Sequence, residues 1–270
     1  MEAFIKNKSP SRGILEKKLI FLSLVNNMHQ MDKNELKYIQ SFAQKKHWLQ
    51  ESVYLIEGPK LLEEALKSNV EIKKIYATRD WLGSNDIGDI EFEEVDDIML
   101  PRLSQLQTAN QVVALVYKKE ITSADYSKQL TLVLDGIQDP GNLGTIIRTA
   151  DWFGIHHIIV SEDTASVYNP KVIQSTMGSC FRVQVQVVDI EQVIAQHKLP
   201  IIGTLLSGNS IYEQVIPVNG FLVIGNESKG ISAGIQTFIT HPVSIPKFGE
   251  AESLNAAVAT GIVLSKWKMQ

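Results

Sequence analysis

The sequence predicts an α/β protein in which a small α/β domain precedes a larger C-terminal α/β domain built on a parallel sheet. Three observations carry this. From residue 130 onward, short apolar runs alternate with helical segments. Those runs are nearly continuous rather than alternating, as strands covered on both faces of a parallel sheet require. A shorter strand–helix alternation occupies residues 53–117, and a polar stretch, 118–129, separates the two.

Residues 33–47 read as a basic helix. VYLIEG (53–58) is a strand ending in a turn, and Pro59 suits the first turn of a helix whose Leu61, Leu62, Ala65 and Leu66 recur at helical spacing. IKKIYAT (72–78) is the next strand, followed by a short strand near 91–95, a helix near 96–106 and the strand VVALVY (112–117). Beyond the polar stretch, strands are expected at 130–136, 156–161, 182–188, 200–206, 220–225 and 242–246. Helices are expected at 143–153, 170–178, 189–197, 232–239 and 254–268. The domain boundaries that follow are 32–117, a linker at 118–129, and 130–270. Residues 1–31 stand apart. A basic, polar start runs into a brief apolar stretch with no small-residue cleavage site after it, and Met28 and Met31 allow translation to begin near Met31.

The chain has 270 residues, 44% of them apolar and 21% charged, which excludes a disordered or low-complexity chain. One cysteine, Cys180, and six scattered histidines leave no Cys-cluster zinc site and no disulfide framework. The longest apolar runs fall far short of the roughly 18 residues a membrane span needs, so no membrane partner is expected. Net charge is −4, but residues 1–74 hold 13 Lys/Arg against 9 Asp/Glu, whereas residues 80–97 hold eight acids and no base. One end of the chain is positive despite the acidic total.

Three segments of the second domain carry residues that folding alone explains poorly. In LDGIQDPGNLGTIIRTADWFG (134–154), a strand ends at Asp135 and a helix opens near Asn142. The C-terminal end of such a strand is where open α/β sheets bind ligands. Taken alone, Asn142 is equally well an ordinary helix cap. Arg148 has apolar neighbours, Ile146, Ile147 and Ala150, and an arginine in a largely buried helix needs a partner or a substrate. FLVIGNESKGIS (221–232) again runs a buried strand into a glycine-containing turn, with Glu227 at its tip and Gly225 allowing close approach. VSIPKFGEAESLNAAVATGIVL (243–264) reaches a glycine loop and then a helix opening with Ser253, Leu254 and Asn255. Ser253 is the stronger candidate for a simple cap; Asn255 is a poor helix former in an Ala-rich helix. Neither the dinucleotide G-x-G-x-x-G nor the phosphate-binding G-x-x-x-x-G-K-[ST] pattern occurs.

In this order and spacing, the segments closely resemble the three motifs of the SpoU-type (TrmH-like) RNA 2′-O-ribose methyltransferases of the SPOUT superfamily. The matching stretches are Asn142–Arg148, Ile224–Gly230, and Ile245–Pro246 with Ser253–Asn255, and the likeness spans about 130–269. Residues 54–78 look like the small RNA substrate-binding domain that precedes the catalytic domain in many of these enzymes. Thr108-Ala109-Asn110-Gln111 departs from the usual Thr-Pro-Gln-Gly there.

The resemblance implies S-adenosyl-L-methionine as methyl donor, no metal, and a trefoil knot at the C-terminal end. It implies a donor site among the loops of Thr204, Leu205, Gly225, Ile245 and Leu254, where a side chain at Gly225 would fill ligand space. It assigns Arg148 to the ribose hydroxyl, either as a transient base or through its field, since a guanidinium is a poor base. Asn142 would position ribose or phosphate, Glu227 would orient Arg148 or the Asn142 loop, and Ser253 and Asn255 would hold the nucleotide and the ligand loop. It further implies a cytoplasmic homodimer, with the small-residue face of helix 254–268 and helix 143–153 as candidate interfaces. The RNA partner is ribosomal RNA by analogy with the leading domain. A tRNA substrate and a non-catalytic RNA-binding homologue are the alternatives.

Overall fold

The structure, a computed structural model, describes residues 31–122 and 124–270. The extension expected over 1–31 lies, apart from Met31, outside these residues. The first elements are helices α1 (Lys33–Ser41) and α2 (Lys45–Gln50). They replace the single helix expected at 33–47. The N–H groups of Phe42, Ala43 and Gln44 bond carbonyls only three residues back, which tightens and ends the first helix.

The smaller sheet is formed by β1 (Val53–Glu57), β2 (Ile72–Ala77), β3 (Phe92–Glu94) and β4 (Val112–Tyr117) in the order β1-β4-β2-β3. β4 runs antiparallel to β1 and β2, and β2 parallel to β3. Between these strands lie α3 (Pro59–Lys67), α4 (Arg79–Ser84) and α5 (Leu100–Leu103). α4 was not foreseen. The helix expected at 96–106 is reduced to α5, because the Asp96 side chain takes the N–H groups of Ile98 and Met99 and the chain turns extended at Ser104.

The larger sheet has six parallel strands: β5 (Leu130–Asp135), β6 (His157–Val160), β7 (Gln184–Val187), β8 (Ile201–Ser210), β9 (Gly220–Gly225) and β10 (His241–Ser244), ordered β10-β8-β9-β5-β6-β7. The helices are α6 (Pro140–Trp152), α7 (Pro170–Thr176), α8 (Ile190–Gln196), α9 (Ala233–Gln236) and α10 (Ala256–Lys268), with a 3₁₀ turn at Ser179–Phe181. Side chains alternate across each strand. Leu130, Leu132 and Leu134 join Ile146, Ile147, Val263 and Leu264 on one face, while Val133 joins Ile194, Phe221 and Ile235 on the other.

From β5 the chain steps outward through β6 and β7, then crosses back to build β8, β9 and β10 on the other side. The strand order therefore reverses between β5 and β9. β8 is longer than expected because β10 pairs with it twice, at Ile202–Gly203 and again at Asn209–Ser210. The stretch between, Thr204 to Gly208, bows out of register. Gly208 permits this, since a Cβ there would lie 2.4 Å from the Val243 backbone.

The segment 118–129 is fastened to the larger domain. Lys119 Nζ donates to the Phe181 carbonyl (2.8 Å), Gln184 Nε2 to that of Thr122 (2.7 Å), and Tyr126 packs against His197 and Phe221. Among the described residues, no helix is long and apolar enough to cross a membrane.

Candidate active site

The crevice where strand order reverses in a parallel sheet is the usual ligand site. Here it lies at the C-terminal ends of β5 and β9, whose loops are tied together. Asn226 Nδ2 donates to the Gly136 carbonyl (2.7 Å), and the Ser232 N–H donates to Asp135 (2.6 Å). Asn226 also closes its own turn, accepting from the N–H groups of Ser228 and Lys229 and pairing its backbone with Gly230.

α6 starts three residues earlier than expected. Asp139 is its cap, accepting from the Asn142 N–H at 2.8 Å, and Pro140 occupies the first turn, where its missing N–H costs nothing. Asn142 is therefore not the cap, and its side chain is free for another role. Its Nδ2 donates to Glu227 Oε1 (2.7 Å), and its Oδ1 accepts from Asn255 Nδ2 (2.8 Å). Asn255, not Ser253, caps α10, accepting from the N–H groups of Ala257 (2.9 Å) and Val258 (3.3 Å). The chemistry of the groups fixes every orientation. An ionised carboxylate only accepts, so Asn142 must turn its amide nitrogen to Glu227 and its oxygen to Asn255. A relay thus runs from Glu227 through Asn142 to the N-terminus of α10, joining all three motif segments. Ser253 is exposed in the loop before it.

Arg148 lies on the exposed face of α6, with Thr145 and Trp152, while Ile146, Ile147 and Ala150 point into the core. The helix is largely buried, as its apolar residues predict, but Arg148 itself is exposed, because residues one and two positions away do not share its face of a helix. Glu227, expected to orient Arg148 or the Asn142 loop, bonds Asn142.

Of the remaining candidates, Gly225 ends β9, Ile245 follows β10, Thr204 and Leu205 lie within β8, and Leu254 stands just before α10. Thr204 Oγ1 donates to the Val223 carbonyl (3.1 Å), and Leu205 packs against the core face that includes Val223. Ile245 is half-buried against the other face, whereas Leu254 is 45% exposed and Leu206, next in sequence to Leu205, 89%. Exposed apolar side chains beside backbone polar atoms suit a ligand with an aromatic ring and a few hydrogen-bonding edges. Gly225 is required by the chain itself, whatever ligand lies beside it. A Cβ there would lie 2.3 Å from Gly230 C and Ile231 N, so it would collide with the chain's own backbone rather than only with a ligand. Three contributors were missed, Asp135, Asp139 and Asn226. Of these, Asp139 carried a readable signal, an acidic residue directly before a proline at a helix start.

Comparison with known proteins defines the class as RNA methylases with a separate substrate-binding module. The SpoU rRNA Methylase family model matches residues 129–265, and the MRM3-like substrate binding domain matches residues 33–114. The chain belongs to the SpoU rRNA methylase family. It is 32% identical over 225 residues to the 23S rRNA (guanosine(2553)-2′-O)-methyltransferase RlmP of Bacillus subtilis, covering 82% of this chain and 90% of the relative. A TrmH-family structure from Porphyromonas gingivalis superposes with a TM-score of 0.80 at 35% identity, covering 88% of this chain and 98% of the other. An AdoMet-bound rRNA methyltransferase from Sinorhizobium meliloti superposes at 0.78 with 27% identity, covering 89% and 96%.

Proposed function

We propose that the chain methylates a ribose 2′-hydroxyl of 23S ribosomal RNA in the cytoplasm, acting as a homodimer. The observation that carries this reading is the Glu227–Asn142–Asn255 relay at the sheet's switch point, on the same helix as the exposed Arg148. S-adenosyl-L-methionine, when bound, supplies a methyl group already activated by its sulfonium. The chain must then align the hydroxyl and ease departure of its proton. Thr204, Leu205, Gly225, Ile245 and Leu254 would hold the donor.

Asn142 keeps one N–H and one lone pair beyond its two bonds in the relay, and these would fix the ribose or an adjacent phosphate. The relay makes that placement rigid, because Glu227 and the capped α10 hold the amide from both sides. Arg148 would stabilise the negative charge that develops on the 2′-oxygen. Asn255 would hold the ligand loop, and Ser253, exposed before it, would contact the nucleotide.

A second copy is the occupant best suited to the exposed apolar surface near α10. Trp152 (84% exposed), Tyr212 (61%), Val258 (51%) and Met269 (81%) are unusual on a lone monomer's surface. Tyr212, Val258 and Met269 line a groove of about 500 Å³. The small residues of α10 divide between this groove, which Gly261 lines, and the interior. Ala256, Ala257 and Thr260 are buried within the chain, where α10 packs on α6. Arg148 shares its helix face with Trp152, so a copy docking there would also shield Arg148 from water.

The test is tritium transfer from the methyl donor to 23S rRNA, 16S rRNA and tRNA transcripts, with 2′-O-methyl mapping of the product. Transfer confined to 23S rRNA supports the reading, and transfer to tRNA instead would move the substrate assignment. Sedimentation of Trp152→Glu against wild type tests the dimer. An unchanged mass would remove Trp152 from the interface.

A further inference from the structure

The strongest feature the active site does not use is the junction between the two sheets. Arg182, just after the 3₁₀ turn, reaches both ways. Its Nε donates to Asp151 Oδ2 (2.9 Å) near the end of α6, and its Nη1 donates to Glu64 Oε2 (2.9 Å) on α3 of the smaller domain. The fit around it is close. Gly178 sits at φ +93, and a Cβ there would lie 2.6 Å from the Cβ of Glu64. Gln174 Nε2 donates to the Glu57 carbonyl (2.9 Å), and Tyr54 packs on Tyr168 with ring centroids 5.1 Å apart. Lys118 lies over the same Tyr168 ring at 4.4 Å. Apart from the Arg182–Asp151 bond, each of these contacts joins the smaller domain, or the segment leaving it, to α7, the 3₁₀ turn or their flanking residues, and α7 packs on α6.

We propose that Arg182 is a positioning residue that locks the RNA-binding domain in register with α6, and so with Arg148, by bridging Glu64 to Asp151. This rests on the reading of the chain as an RNA methylase. Asp151 stands three residues beyond Arg148 on one continuous helix, so whatever anchors the smaller domain to Asp151 fixes it relative to the reacting hydroxyl. An RNA gripped by the smaller domain is held far from its target ribose, and a small rotation at the junction is magnified there. Misplacement by about 1 Å can cost about 100-fold in rate. Without the guanidinium, Glu64 and Asp151 would present two carboxylates to each other across the junction, which favours opening.

The test compares full-length wild type with Arg182→Ala, Glu64→Gln and the double variant. The substrates are a long rRNA transcript and a short oligonucleotide that reaches only the catalytic domain. Alkylation of Cys180, the chain's single cysteine, reports on opening, because it lines a cavity of about 300 Å³ at this junction. For Arg182→Ala we expect kcat on the long transcript to fall about tenfold or more, with the short substrate and donor affinity nearly unchanged and Cys180 alkylated several-fold faster. Glu64→Gln should act in the same direction, and the double variant should be no worse than Arg182→Ala alone, as coupled partners require. Equal loss on long and short substrates, a parallel loss of donor affinity, or wild-type kinetics on the long transcript would each overturn the role. A wild-type protein that methylates no RNA would instead overturn the functional reading on which it rests.

Discussion

The two sheets of this chain finish their strands in different ways. In the larger sheet all six strands are parallel, so every C-terminal end opens on one edge. Residues as distant in sequence as Asn142, Glu227 and Asn255 meet there. The smaller sheet is mixed, and its strand ends interleave. Where β1 runs out, the notable polar group is a single buried carboxylate, Glu57, bonded by the Ser104 hydroxyl and by the Gln105 N–H at 2.7 Å. That carboxylate is satisfied from within the domain. The difference teaches that a parallel sheet gathers reactive loops, whereas a mixed sheet makes a platform. One domain is built to do chemistry and the other to hold and place.

The largest effect that would sharpen this contrast is a glycine substitution in each domain. Gly225→Val should abolish donor binding and methyl transfer together and lower Tm strongly, because its new side chain meets backbone at 2.3 Å. Gly88→Ala, at φ +61 with nothing within 4 Å, should leave activity unchanged. Its left-handed backbone should cost about 1 kcal/mol in a denaturant melt. If the two variants behave alike, the tightness assigned to the β9 loop is wrong.

Next comes the relay. Asn142→Ala leaves Glu227 and Asn255 without their shared partner and should lower kcat by about 100-fold, with donor affinity less affected. Asn255→Ala removes a helix cap worth about 1 kcal/mol and should weaken donor binding as well, with a milder loss of turnover. Titration calorimetry alongside single-turnover transfer separates the two patterns.

A smaller effect belongs to the platform. Burial pushes the Glu57 carboxyl up, against the opposing pull of its bonds from Ser104 and Gln105. A carboxyl raised on folding holds its proton more firmly in the native state. Its contribution is therefore fully present below the ordinary carboxylate range and is lost as pH rises through the folded value. Glu57→Gln can keep both neighbours, with its oxygen accepting from Gln105 and its amide donating to Ser104. It should flatten the fall in Tm above the ordinary carboxylate range. An unchanged slope would mean Glu57 is ionised at little cost.

Much of the larger domain was legible because its signals are local. Most of its strands are apolar runs, and Glu227 stands two residues past one, while Asn142 and Asn255 lie where the helices after β5 and β10 begin. The errors were also local in origin. Pro140-Gly141 looked like a turn although a proline is welcome at a helix start, so α6 was begun too late and Asn142 was weighed as a cap. Arg148 was judged by its sequence neighbours, but the face of a helix is set by residues three and four away, here Thr145 and Trp152. The domain junction was not legible at all. Glu64, Asp151 and Arg182 are ordinary surface charges in sequence, and only the fold brings partners 31 and 118 positions apart onto one guanidinium. The overlength of β8 was hidden likewise, since it depends on a second pairing with β10.

The most direct measurement is methyl transfer by Arg148→Ala on the cognate RNA, paired with calorimetric titration of the donor. Arg148 is exposed and lies on the helix that carries Asn142, so its loss should leave the fold and donor affinity nearly intact. Transfer should fall by about 100- to 1,000-fold, the scale for removing one charge-stabilising donor from a reacting oxygen. Arg148→Lys should recover little, because an ammonium cannot reproduce the planar, forked guanidinium. Near-normal turnover by Arg148→Ala would take Arg148 out of the mechanism, and loss of donor binding in step with turnover would make it a ligand-holding residue instead.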